Sequence, residues 1–144
     1  MSDMSERDDL SIERSTDLDL DVVALWTLLS TADGWCSWLV DQAEITIAPD
    51  ATGTTTTDSV ERSVRIESVA TGRGIGFSWW DRDDPSTASY VQLEIVELPH
   101  GRSHLDITER FVGATTATSC SVASKWDVAL VSLWMLALPL LVMA

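Results

Sequence analysis

Residues 121–144 read SVASKWDVALVSLWMLALPLLVMA, and from Val128 onward Ser132 is the only polar side chain. Val122, Trp126, Ala129, Leu130, Leu133 and Ala137 recur at spacings of three and four, the period of a helix. The stretch predicts one long closing helix with an apolar stripe. Ser121, or Ser124 with Asp127 three residues on, is the expected N-cap. The segment before it, GATTATSCS (113–121), is small and polar and reads as a connection. A helix this apolar needs a partner surface, and the upstream sequence supplies strands.

Two of those strands form a hairpin. Val91, Leu93 and Ile95 alternate with Gln92 and Glu94, and Leu105, Ile107 and Phe111 alternate with His104, Asp106, Thr108 and Arg110. Pro99 to Arg102 (PHGR) is the turn between them. Ile75, Phe77 and Trp79 share a face in the strand before, which follows a tight turn at Gly72–Gly74. Val64 and Ile66 oppose Arg65 and Glu67 in a strand over Val60–Val69. Ala43, Ile45 and Ile47 begin strand material that should stop at Pro49, and the Thr-rich run 52–57 reads as a solvated edge. Asp81–Pro85 is an acidic hairpin end.

Nearer the N-terminus, residues 1–9 form a polar leader, expected to be disordered. Leu10, Ile12 and Leu18 share one parity and predict a half-buried first strand. Asp19 or Asp21 then caps a helix whose apolar stripe is Val22, Leu25, Trp26 and Leu29. Thr31–Val40 contains Gly34, read as a helix breaker, and supports only a short helical turn that sets Trp35, Trp38 and Leu39 against the sheet. The order is strand, helix, short helix, antiparallel strands, long helix. That is an α+β two-layer arrangement, expected as a single domain over residues 10–144.

Composition narrows the function. The 144 residues carry 23 acidic and 9 basic side chains, a formal charge of −14, with Lys125 the only lysine. Nucleic acid and anionic membranes require a positive footprint, so neither is an expected partner. The two cysteines, Cys36 and Cys120, are isolated, and no apolar signal segment opens the chain, which points to a reduced cytoplasmic protein. Val128–Ala144 is at the short edge of a membrane span and contains Pro139, so a buried closing helix is the expectation rather than a tail anchor. Its outer face, near Val131, Trp134, Met135 and Leu138, is apolar enough to predict a homodimer through this helix.

No catalytic or cofactor motif stands out. TGRGIG (71–76) matches no phosphate-binding pattern and leads into a strand, so no cofactor is expected. His100 lies in a turn and His104 has outward parity, which leaves no metal set and no nucleophile–histidine pair. The residue that breaks pattern is Glu109. It shares parity with Leu105, Ile107 and Phe111 and should face the interior, where a carboxylate costs several kcal/mol unless it is hydrogen-bonded. A tryptophan indole or Arg62 is its expected partner.

The blocks ERSTDLDLDVVALWTLL (13–29), GWCSWLVD (34–41), GRGIGFSWW (72–80) and VQLEIVELPHGRSHLDITERF (91–111), followed by the helix led by Trp126, resemble a known family. It is the Hsp90-ATPase-activator-like (Aha1-type) branch of the START/Bet v 1-like helix-grip superfamily (SRPBCC). The resemblance implies a curved antiparallel sheet of six or seven strands gripping the C-terminal helix around an apolar cavity, with two short helices after the first strand. Trp26 would be the tryptophan of the first helix, Trp38 and Leu39 would follow the second, Glu109 and Phe111 would close the penultimate block, and Trp126 would open the grip helix. Members include lipid and small-molecule binders, polyketide cyclases and a cochaperone domain. The cochaperone works with additional domain material that 144 residues have no room for.

The expected function is non-catalytic binding of a small apolar ligand between the sheet and the last helix. Trp38, Phe77, Trp79 and Trp126 are the expected aromatic wall, and Val91, Leu93, Leu105, Ile107 and Leu130 the aliphatic one. Glu109 is the orienting polar group. The enzyme alternative is a cyclase- or hydratase-like reaction with Glu109 as general base. The third alternative is a protein-interaction module whose core is filled by side chains.

Overall fold

Chain periodicity becomes architecture in a computed structural model that describes residues 9–112 and 116–137. Strand β1 (Asp9–Leu18) leads to helices α1 (Val22–Leu29) and α2 (Ala32–Trp38). Strands β2 (Gln42–Glu44), β3 (Thr52–Thr57), β4 (Val60–Ala70), β5 (Gly74–Asp81), β6 (Asp84–Leu98) and β7 (Arg102–Val112) follow, and helix α3 (Thr116–Leu136) ends the described chain. All seven strands form one antiparallel sheet in the order β1-β7-β6-β5-β4-β3-β2. This is the helix-grip arrangement. The expected leader, apart from Asp9, lies outside the described residues, as do Leu138, Pro139 and the rest of the apolar tail.

One face of the sheet is largely apolar. Val64, Ile66, Ile75, Phe77, Val91, Leu93 and Leu105 have no exposed surface. Helix α1 covers β6 and β7, while α3 lies along β1 and against α2. Ile12 and Leu18 are buried as their parity predicts; the side chains of Leu10 and Val122 fall outside the described set. In α3, Trp126, Ala129 and Leu133 are buried and form the stripe read from the sequence.

The short helices are set by side chains at their ends. The Asp21 carboxylate accepts the Ala24 N–H at 2.8 Å, capping α1, and the Thr31 hydroxyl accepts the Gly34 N–H at 2.9 Å, capping α2. The carbonyls that α1 leaves unpaired at its C-terminus are taken by tryptophans of α2. Trp35 Nε1 donates to the Leu29 carbonyl at 2.8 Å and Trp38 Nε1 to the Leu28 carbonyl at 3.1 Å. Both rings thereby become fixed plugs on the sheet.

Four expectations are corrected. Gly34 does not break the helix but lies inside α2, buried, where an added Cβ would sit 2.6 Å from the Leu28 carbonyl oxygen. Close packing on α1 outweighs the roughly 1 kcal/mol that glycine costs in a helix. The Thr-rich β3 is not an edge, because β2 pairs outside it; the true edge is only three residues long, which blunts it against strand addition. Strand pairing from Ala43 ends at Glu44 rather than running to Pro49, and Ile45 and Ile47 pack half-buried beyond it. Finally, α3 starts at Thr116, so Ser121 and Ser124 are interior helical positions and not caps. Serine and threonine cost only a few tenths of a kcal/mol in a helix, and propagation adds a bond for each residue once the apolar half has nucleated.

Candidate functional site: an aromatic recess around a buried carboxylate

Sheet register puts Glu109 on the inner face of β7, one strand in from the β1 edge. It lies opposite Val91 on β6 and Ile12 on β1, while Ser89, two residues from Val91, lies opposite Trp79 on β5. The Glu109 side chain is 1% exposed and accepts three hydrogen bonds. Trp79 Nε1 donates to Oε2 at 2.9 Å, the Ser89 hydroxyl donates to the same oxygen, and Trp126 Nε1 donates to Oε1 at 2.7 Å. An indole N–H can only donate, so both carboxylate oxygens act as acceptors. The partner class was legible from the sequence; it is tryptophan and not Arg62.

These bonds set the tryptophan planes. Trp126 has its ring centroid 6.3 Å from Trp79 at 33° and 6.4 Å from Trp38 at 42°. Phe77 meets Trp79 edge-on at 5.1 Å and 82°. Over Trp79 lies the Arg62 guanidinium, 4.5 Å from the ring centroid. Beside this cluster is a recess of about 430 Å³, between the end of α2, strands β3 and β4, and the inner face of α3. Trp38, Leu39 and Val40 form one wall, Trp126, Ala129 and Ser132 another, and Arg62, Trp79 and Glu109 the floor. Asp58 and Val128 are exposed on its rim.

Of the ten residues expected at the site, Trp38, Trp79, Glu109 and Trp126 line the recess. Phe77, Val91, Leu93, Leu105 and Ile107 do not: they are at most 1% exposed and packed solidly into the sheet core. Leu130 is half-buried against that core and also lies off the recess. Helix α1 lies on β6 and β7, and Trp35 of α2 packs on Phe77, while the recess lies toward β3 and β4. Ser89 was not foreseen, Arg62 was expected only as a partner of Glu109 and Ala129 only as part of the helix stripe, although the parity that places Val91 and Val64 inward also places Ser89 and Arg62 inward.

The histidines stand apart from the recess, as expected. His100 occupies the turn with φ 66°, and His104 on the outer face lies 2.6 Å from Asp17 and 2.9 Å from Asp106. The hydrogen bond to Asp17 raises the His104 pKa above its ordinary value, aided by Asp106 and opposed by partial burial. Among the described residues no cluster of His, Cys, Asp and Glu could hold a metal ion, and no helix is long and apolar enough to cross a membrane.

No protein-family model matches this chain, and no curated protein does. Solved structures do match. CalU16 from Micromonospora echinospora is 18% identical with a TM-score of 0.72, covering 92% of this chain and 79% of its own. Protein MLL2253 from Mesorhizobium loti is 16% identical with a TM-score of 0.78, covering 88% and 96%. The Aha1 dimer from Colwellia psychrerythraea is 13% identical with a TM-score of 0.77, covering 89% and 96%. What this chain shares with them is the helix-grip fold. At such identities the likeness extends to backbone architecture and not to site chemistry.

Proposed function

We propose that this protein is an Aha1-like member of the helix-grip superfamily that binds a small, mainly apolar molecule without transforming it. The observation that carries this reading is the recess of about 430 Å³ beside Trp38, Trp79 and Trp126. It falls within the range of roughly 300–1,000 Å³ typical of ligand sites, and it sets an aromatic wall of Trp38, Trp79 and Trp126 beside polar groups that include Arg62, Glu109, Lys125 and Ser132. Glu109 accepts three donors that hold two of those walls in place, a positioning role that leaves little of the carboxylate free to take a proton from a substrate. An interaction module with a filled core has no use for such a space. Native mass spectrometry of the freshly purified protein is expected to show a co-purifying adduct of a few hundred daltons that dissociates on collisional activation. A bare mass, together with no binding of apolar probes, overturns the proposal.

A second observation favours self-association. On the outer side of α3, Val128, Val131, Trp134, Met135 and Leu136 are 45–65% exposed, a cluster of a kind that monomers seldom leave uncovered. Trp134 also donates from Nε1 to the Thr16 hydroxyl at 3.1 Å, which fixes its ring against β1. Sedimentation at micromolar concentration is expected to give a dimer, with Trp134→Glu shifting it to monomer. A wild-type monomer at those concentrations refutes the reading.

A further inference from the structure

The charged groups at the recess are not equally satisfied. Glu109 has its three donors, and the Asp41 carboxylate accepts the Asp58 N–H at 2.9 Å. Arg62 is held more loosely. Its side chain is 17% exposed, and it forms an ion pair with Asp81, whose carboxylate oxygen lies 3.6 Å from Nε, beyond hydrogen-bond reach. Among the described residues its guanidinium donates no side-chain hydrogen bond. The Asp81 ion pair and the Trp79 ring beneath it hold it in place. A guanidinium offers five N–H donors in a planar fork, and here none of them is taken up by a side-chain hydrogen bond among the described residues, which leaves the fork open to an acceptor on a bound molecule.

We infer that the ligand of this recess carries one carboxylate, received by the Arg62 fork, with its apolar body lying against Trp38, Trp126 and Ala129. The inference rests on the binding function proposed above and adds the head group. Three features support it together. Arg62 lines the floor of the recess, within reach of a bound molecule. The fork matches a planar carboxylate bidentately, and the Trp79 face beneath pre-orders it. Lys125, on the α3 side of the recess, adds a second positive charge. The indole N–H groups of Trp38, Trp79 and Trp126 are all engaged within the protein, so none of them competes for the head group. Three carboxylates also line the recess: those of Asp41 and Glu109 are each engaged by protein donors, and Asp58 lies exposed on the rim, away from the Arg62 floor.

Decanoate, 1-decanol and decyltrimethylammonium share one tail and differ in head group, so calorimetric titration with each separates the contributions. Wild type is expected to bind decanoate about 10- to 100-fold more tightly than 1-decanol, the gain of a charge-assisted pair. Arg62→Gln is expected to bring decanoate down to the level of decanol while changing decanol affinity by less than about threefold, the tail contacts being untouched. If Arg62→Gln does not fold, Arg62→Lys takes its place. It keeps the charge but loses the fork, so an intermediate preference is expected and an undiminished one overturns the assignment. Equal binding of decanoate and decanol by wild type, or a preference for decyltrimethylammonium, also overturns the carboxylate assignment while leaving the recess a binding site. If no probe binds, the binding function falls, and the head group with it.

Discussion

Glu109→Ala is expected to destabilise the protein by about 3–5 kcal/mol, the largest effect of any polar substitution in the core. Three donors converge on that carboxylate, from β5, β6 and α3, and alanine leaves all of them buried without an acceptor. Each orphaned group costs about 1–3 kcal/mol, and total stability is of the order of 5–15 kcal/mol, so much of the margin would go. Glu109→Gln keeps the volume and one acceptor oxygen but turns an amide NH₂ toward a donor, so a smaller loss of about 1–3 kcal/mol is expected. Urea denaturation followed by tryptophan fluorescence measures both. A loss below about 1 kcal/mol in the alanine variant would mean that water from the recess satisfies the donors, and the carboxylate would then not be the structural keystone.

Trp35→Ala is expected to cost about 3–5 kcal/mol as well, for an apolar reason. Trp35 has no exposed surface, meets the Phe77 ring at 4.8 Å and 45°, and donates to the Leu29 carbonyl at 2.8 Å. Its removal leaves a hole between α2 and the sheet and frees one carbonyl at the end of α1. Thermal unfolding should show a midpoint lowered by roughly 10–20 °C for a chain of this size. Trp35→Phe refills most of the space and loses only the hydrogen bond, so about 1–2 kcal/mol is expected. If the phenylalanine and alanine variants prove equally unstable, the hydrogen bond, and not the packing, dominates at this position.

Much of this fold was legible because strand and helix periods are local. Alternation around Val91–Ile95 and Leu105–Phe111 settles which face is buried, since adjacent strand residues point to opposite sides. Inward parity alone marked Glu109 as anomalous, and left its partner open between an indole and Arg62. What alternation cannot express is which residues of other strands arrive beside it. Ser89 reaches Glu109 only because Ser89 stands opposite both Trp79 and Phe111 in the β5–β6–β7 register. Gly34 shows the same limit: in sequence it is a breaker, and only the backbone of Leu28 beside it makes it a packing residue.

The recess marks the boundary between the two kinds of information. The sequence by itself determined a two-layer α+β domain with a long closing helix, an apolar inner sheet face and one carboxylate turned toward it, because each follows from side-chain order along one element. Only the tertiary structure decided that the space opens beside Trp38, Arg62, Trp79 and Trp126, and not over Phe77, Leu93 and Ile107. All of these side chains face inward, so parity treats them alike. Their difference is the distance from the sheet to what covers it. That distance depends on α1 lying on β6 and β7 while α3 leans toward β1 and α2, a relation among elements far apart in the chain that no local pattern encodes.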